Sequence, residues 1–119
     1  MKTVLWISRH KMTDAQRADL ERIMEGPVRL LPWRDTVRDV SALTPAVKQA
    51  DAVAAVLPLE LMAGLLRLVG KRPLLQAVSE RRPTGKLLTT PDGGSEPEFA
   101  FVHRCWQQVV RLDLETKVL

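Results

Sequence analysis

The sequence has only one cysteine and two histidines, and these three residues are spread along the chain. Cys105 has no partner with which to form a disulfide in the chain, and we expect it to be a small buried hydrophobe. His10 and His103 are too far apart in sequence to indicate a zinc site, and no acidic pair follows the first predicted strand to hold magnesium. We therefore expect no metal site and no cofactor.

Glycine-rich motifs and long apolar runs are also missing. The chain contains no G-x-G-x-x-G, no G-x-x-x-x-G-K-[ST] and no G-x-S-x-G, which excludes the phosphate-binding loops and the nucleophile elbow that these motifs encode. The apolar run at the N-terminus, residues 3–7, is too short for the core of a signal peptide or for a membrane span. We therefore expect a cytoplasmic protein.

The composition that remains is that of an ordinary globular protein. The chain has 119 residues, of which 45% are hydrophobic and 27% are charged. This is enough for one packed core and leaves little room for another, so residues 1–119 are predicted to form a single domain. A net charge of +4 and a pI of about 9.7 favour an anionic partner.

Apolar segments of strand length alternate with helical patterns along most of the chain. Strands are predicted at residues 4–7, 28–31, 52–57 and 74–78. Helices are predicted from a capping box at Thr13 and Gln16, over residues 44–49, and from Pro58 to the glycine at position 70. This order implies right-handed crossovers. The predicted fold is α/β, a Rossmann-like domain with a mostly parallel sheet and helices on both faces.

Other parts of the chain have weaker patterns. Residues 33–41 are predicted to form a loop with a helical turn. Residues 85–89 and 99–102 flank Pro91-Asp92-Gly93-Gly94, a turn signal that favours a hairpin. Residues 103–110 could form a helix with Trp106 facing inward, and residues 112–119 alternate like an edge strand.

Polar and basic side chains follow three of the predicted strands. Ligands of open α/β sheets bind beyond the carboxyl ends of the strands, where phosphate groups need charge-assisted donors and helix N-termini. These segments are therefore predicted to deliver their cations to one anion-binding edge. The candidate residues are Ser8, Arg9, His10 and Lys11 after the first strand, Trp33 and Arg34 after the second, and Arg81, Arg82, Thr84 and Lys86 after the fourth.

Each of these residues has a possible chemical role and a simpler alternative. His10 could be a general acid or base, and Ser8 or Lys11 could position or neutralise a phosphate. Trp33 is placed to stack on a base or ring. The alternatives are that His10 and the cations are ordinary surface residues and that Trp33 packs in the core. His103 is expected to be a packing or surface residue.

The segment His10-Lys11-Met12-Thr13-Asp14-Ala15-Gln16, directly after the first strand, resembles the opening of the small stand-alone ring nucleases of type III CRISPR antiviral defence. In that family a strand runs into a histidine, an apolar residue, a threonine and a glutamine that opens the first helix. The family often has a small hydroxyl or amide residue before the histidine, where this chain has Arg9.

The resemblance implies a homodimeric, CARF-like domain that binds cyclic oligoadenylate, most often the tetramer, across a two-fold axis. It implies metal-independent cleavage, in which a ribose 2′-hydroxyl attacks the neighbouring phosphate and leaves a 2′,3′-cyclic phosphate. His10 would then be the acid or base, Arg9 and Lys11 would contact phosphate, and Arg81, Arg82 and Lys86 would add anion contacts. A non-catalytic nucleotide sensor or sponge and a protein-interaction domain without a small ligand stay open as alternatives.

Overall fold

A computed structural model of the protein describes residues 1–112 and 117–119. The described chain contains five strands, three α-helices and one 3₁₀ turn. In chain order these are β1 (Lys2–Ile7), α1 (Asp14–Ile23), β2 (Val28–Trp33), the 3₁₀ turn (Val40–Leu43), α2 (Thr44–Lys48), β3 (Ala52–Ala55), α3 (Leu59–Val69), β4 (Leu74–Thr89) and β5 (Ser95–Gln108).

The five strands form one sheet in the order β2-β1-β3-β4-β5. The first four are parallel, and β5 pairs antiparallel with β4. The predicted α/β fold with a mostly parallel sheet is therefore confirmed. A strand alternating with helices can be parallel to its neighbour only because the helix carries the chain back across the sheet.

Alternate side chains of β1 enter two separate cores, one on each face of the sheet. Val4 and Trp6 pack with α1 residues such as Leu20. Leu5 and Ile7 pack with residues of α2 and α3 on the opposite face. The side chains of residues 4–7 are all buried, which explains why this part of β1 is a continuous apolar run instead of an alternating one.

Helix α1 begins with the predicted capping box. The Thr13 hydroxyl accepts a hydrogen bond from the Gln16 amide at 3.1 Å, and the Gln16 side chain accepts one from the Thr13 amide at 2.9 Å. These two bonds satisfy backbone donors that a helix start otherwise leaves free. The capping box therefore fixes where the loop after β1 ends.

Helix α1 is also tied to β5, in a region where the sequence predicted a helix. Residues 103–108 lie in β5, so the predicted helix over residues 103–110 is wrong. Cys105 to Gln108 instead pair with the inner part of β4. The Trp106 ring packs edge-on against Trp6 at 5.9 Å and donates from Nε1 to the Gln16 carbonyl at 3.0 Å. This packing against α1 makes the strand the favoured state.

The side chain of His103 packs inside the protein, which is one of the two roles predicted for it. Its side chain is 6% exposed, and its Nε2 lies 2.9 Å from Oδ2 of Asp19 on α1. Within the described part of the chain, its Nδ1 is buried without a hydrogen-bond partner. The hydrogen bond from His103, together with the nearby Arg22, lowers the pKa of Asp19 below its usual value.

We expect Asp19→Asn to destabilise the protein by about 1 kcal/mol at pH 7. A carboxylate with a lowered pKa stabilises the fold above its unfolded pKa, and this stabilisation is lost as the pH falls through its folded pKa. The difference in the free energy of unfolding between Asp19→Asn and the parent chain should therefore become smaller below about pH 4. Urea unfolding at several pH values measures it, with Glu25→Gln at an exposed carboxylate as the control. A difference that stays constant down to pH 2 would contradict this role of Asp19.

Three strands are longer than predicted, among them β1, which starts at Lys2, whereas β3 is shorter than predicted and ends at Ala55. β2 continues through Pro32 to Trp33, because it is an edge strand with a free side on which proline's missing N–H costs little. β4 continues to Thr89, so the predicted end of the fourth strand at residue 78 is wrong. Its partner β5 supplies the hydrogen bonds that keep residues 79–89 extended, and the predicted turn at residues 91–94 joins the two strands.

The outer part of β4 and β5, residues 80–102, extends beyond the other three strands of the sheet, and we call it the arm. The radius of gyration is 17.2 Å, against about 14 Å for a compact domain of this length. Half of the predicted edge strand over residues 112–119 falls on residues 113–116, which lie outside the described residues. The other half, residues 112 and 117–119, is not in a strand. None of the helices described in the structure is long and apolar enough to cross a membrane.

Candidate functional site

A cavity of about 330 Å³ lies beyond the carboxyl ends of β1 and β3. The chain winds from β1 to β2 in one direction and on to β3 and β4 in the other, so β1 and β3 flank the switch point at which such sheets bind ligands. The cavity is lined by Ile7, Ser8, Arg9, His10, Asp35, Thr36, Val37, Val56, Leu57, Pro58 and Leu61. The sheet therefore places three of the predicted site residues, Ser8, Arg9 and His10, at one cavity.

The loop after β1 is held in one conformation by three hydrogen bonds. The Trp6 indole donates to the His10 carbonyl at 2.9 Å, and the His10 amide donates to the Ser8 hydroxyl at 3.1 Å. The Ser8 amide donates to the carbonyl of Trp33 at 3.2 Å. All three bonds use backbone groups of Ser8 or His10, which leaves the His10 side chain free to act at the cavity. Such preorganisation is what a binding or reacting group needs.

Arg9 is positioned by a residue that lies far from it in sequence. A terminal nitrogen of its guanidinium donates to the Thr36 hydroxyl at 2.6 Å. The Thr36 contact uses one of the five N–H donors of the guanidinium, so the others stay available to an anion. Arg9 is exposed on the rim of the cavity. The cation is therefore both oriented and accessible.

The opposite wall of the cavity is apolar and ends at the start of α3. Val56, Leu57 and Leu61 supply the apolar surface, and the Val56 amide donates to the Ile7 carbonyl at 2.9 Å, which closes the wall onto β1. Pro58 precedes the first helical residue and makes no side-chain cap. The first amides of α3 therefore have no capping side chain at the border of the cavity.

Asp35 adds one carboxylate to a lining whose basic side chains are Arg9 and His10. A carboxylate repels an anion but accepts hydrogen bonds from hydroxyl groups. The cavity thus combines a guanidinium, a carboxylate, an imidazole and an apolar wall. This set suits a ligand that has an anionic group, hydroxyl groups and a flat apolar part.

The other candidates near this edge lie outside the cavity lining. Lys11 and Arg34 are exposed and do not line it. Trp33 packs against the core on the α2 and α3 face and borders a second cavity of about 230 Å³. Among the described residues, nothing accepts a hydrogen bond from its buried Nε1. Core packing therefore describes Trp33 better than the stacking role.

The four candidates after residue 78 lie on the arm, not in a loop beside Arg9. Arg81 stacks over the Phe99 ring at 3.7 Å, and Arg82 forms an ion pair with Glu80 at 3.1 Å. The Thr84 hydroxyl bonds the Glu98 carboxylate at 3.1 Å, and its oxygen accepts from the Lys86 amide at 3.3 Å. β4 leaves the sheet at the cavity edge but carries these residues away from it. The expected convergence with Arg9 is therefore limited to the loop after β1.

The sequence analysis missed the cavity residues that come from the segments after β2 and β3. Thr36 and Asp35 lie in a mixed segment whose pattern gives no sign of their position. Pro58 carried a usable signal, because it starts a helix directly after a buried strand. In open α/β sheets such a junction lies at the ligand-binding edge.

In the described ranges 1–112 and 117–119, no group of three or more histidine, cysteine or acidic side chains is arranged to hold a metal ion. The chain was also compared with known proteins. No protein-family model, curated protein or solved structure matches it. The support for the site is therefore the geometry of its own residues.

Proposed function

We propose that this chain is a Rossmann-like domain that binds a phosphate-bearing nucleotide in the cavity beyond β1 and β3. One observation carries the proposal, namely that Arg9, oriented by Thr36, and His10, on a loop held by hydrogen bonds, line the same cavity at the switch point of the sheet. Its volume of about 330 Å³ is at the lower end of the range for small-ligand sites. It can accept one nucleotide unit.

Each part of a nucleotide has a partner in this cavity. The Arg9 guanidinium binds a phosphate through charge-assisted hydrogen bonds. The Asp35 carboxylate accepts a hydrogen bond from a ribose hydroxyl, as acidic residues do in related sheets. The apolar wall that contains Val56 and Leu61 packs against the base.

The reaction we propose is the one that the N-terminal resemblance implies, cleavage of a cyclic oligoadenylate without a metal ion. The ribose 2′-oxygen forms a bond to the adjacent phosphorus, the bond from phosphorus to the 5′-oxygen breaks, and that oxygen takes up a proton. His10 removes the proton from the 2′-hydroxyl or donates one to the 5′-oxygen, and Arg9 stabilises the phosphorane. A ring of four nucleotides exceeds one cavity, so two copies of the chain bind it about a two-fold axis.

Incubation with cyclic tri-, tetra- and hexaadenylate in EDTA, followed by liquid chromatography and mass spectrometry, tests the reaction. We expect linear fragments with 2′,3′-cyclic phosphate ends. Isothermal titration calorimetry with the same rings tests binding separately. Binding without cleavage would overturn the reaction and leave a nucleotide sensor or sponge. If the chain neither binds nor cleaves any of these rings, the nucleotide proposal as a whole is overturned.

Arg9→Ala is expected to weaken binding of the preferred ring about tenfold or more, because a charge-assisted phosphate contact is lost. Calorimetric titration of the variant measures the change. Arg29→Ala is the matched control, because Arg29 is also an exposed arginine but pairs with Thr3, near the start of β1 and away from the cavity. Equal losses in both variants would show that only the net charge attracts the ligand, against a specific Arg9 contact.

A further inference from the structure

The arm is a two-stranded ribbon with one apolar face. Pro97, Phe99 and Phe101 alternate along β5, and Phe99 and Phe101 are paired across the ribbon with Pro83 and Arg81. A shallow groove on the arm is lined by Arg81, Leu88, Glu96, Pro97, Phe99 and Phe101. Phe101 is 78% exposed, Leu88 46% and Phe99 38%. The groove therefore presents two aromatic rings and a leucine to solvent.

The opposite face of the arm is largely polar, and its side chains form contacts with one another within the arm. It carries the ion pair between Arg82 and Glu80 and the hydrogen bond between Thr84 and Glu98. A ribbon with one polar and one apolar face is typical of a sheet that covers a core on one side. A two-stranded ribbon is marginally stable unless its apolar face is packed against something. The arm's sequence pattern thus favours burial of the groove.

The edges of the arm are poorly suited to pairing with another strand. Pro83 and Pro97 each lack a backbone donor, and the pairing of β4 with β5 is irregular between Val78 and Ser79 and between Pro83 and Leu87. Prolines and bulges are the features by which edge strands avoid adding further strands. Association of the arm should therefore use its groove and not its edges.

The charges at the two ends of the groove indicate what covers it. Arg81 lies at the end near the sheet, and Glu96 lies near the turn, opposite Leu88. Arg81 pairs with Phe101, which is five residues from Glu96 along β5. The two charges are therefore about 17 Å apart along the ribbon, since strands rise about 3.3 Å per residue. When two such arms lie face to face in opposite directions, each cation meets a carboxylate and the apolar centres meet each other. The groove is therefore complementary to itself about a two-fold axis.

We propose that two copies of this chain associate through these grooves, arm against arm in opposite directions. Phe99, Phe101 and Leu88 form the apolar centre of the interface. Arg81 of each copy pairs with Glu96 of the other, and its stacking on Phe99 at 3.7 Å orients it for that contact. This inference stands independently of the ligand proposed for the cavity.

Sedimentation velocity over about a hundredfold range of protein concentration tests the association. We expect a monomer–dimer equilibrium that Phe101→Glu weakens by more than about tenfold, since buried aromatic residues dominate interfaces. Val110→Glu is the matched control, because Val110 is 79% exposed but lies outside the arm. It should leave the equilibrium unchanged. Circular dichroism should show that both variants keep the parent fold.

The charge pair provides the second half of the test. Arg81→Glu and Glu96→Arg should each weaken the dimer, and the variant with both substitutions should recover most of the affinity because the pair is restored with its signs reversed. A protein that stays monomeric at every concentration would overturn the proposal. So would a dimer that tolerates Phe101→Glu, or two weakened single variants without recovery in the double variant.

Discussion

In the proposed cleavage of cyclic oligoadenylate, the His10→Ala variant is expected to be about 100-fold slower than the parent chain, with little change in its affinity for the ring. A positioned acid or base contributes to the rate only when the proton moves, so its loss lowers kcat more than it raises KM. The substitution should not disturb the loop. The hydrogen bonds at this position use the His10 backbone, with the Trp6 indole and the Ser8 hydroxyl as partners.

The pH dependence of the rate separates proton transfer from simple positioning. The rate of the parent chain should depend on pH, and His10→Gln should lose that dependence while it keeps a polar side chain at the cavity. Single-turnover rates in EDTA across pH 5 to about 9 measure it. An unchanged rate in His10→Ala would refute the catalytic role of His10 and leave catalysis to positioning and to Arg9.

Leu65→Ala should destabilise the fold by about 3 kcal/mol. Leu65 is fully buried on α3 and packs in the core between this helix, α2 and the sheet. The substitution removes buried methyl groups and leaves a cavity that the sheet cannot close.

Urea unfolding measures this effect as a lower midpoint concentration of urea, with an unchanged slope of the unfolding free energy against urea concentration. Leu59→Ala is the matched control, since it is the same substitution on the same helix at a side chain that is 54% exposed. Its effect should stay within about 0.5 kcal/mol. Similar losses at the two positions would contradict the packing of α3 through its Leu65 face.

The comparison of predicted and observed elements shows which sequence patterns were sufficient to predict a strand or the start of a helix. Residues 4–7 were correctly predicted as a strand, and the strand predicted over residues 52–57 was correct for residues 52–55. Continuous apolar runs of this length are stable only when both faces are covered. The start of α1 was predicted because Thr13 and Gln16 satisfy each other's backbone within four residues. The starts of α2 and α3 were predicted closely from prolines at positions 45 and 58.

The wrong predictions fall where distant partners decide the structure. Residues 103–108 have a pattern that also fits a helix, yet pairing with β4 and the contact of Trp106 with Trp6 make them a strand. Residues 79–86 read as a polar loop, because Arg81, Arg82 and Lys86 are not typical of a core strand. Their extended structure depends on hydrogen bonds from β5, which no local pattern reveals.

The sequence by itself determined the parallel centre of the sheet, the helices that cover it and the polar loop that follows β1. These features depend on local caps and on burial, which short segments encode. Only the tertiary structure decided which of the predicted basic side chains lie at the cavity. Arg9 is oriented by Thr36, which is 27 residues away, whereas Arg81 is carried off on the arm and stacks on Phe99. Such contacts depend on strand order and on the length of β4, and these are set by pairing between segments far apart in the chain.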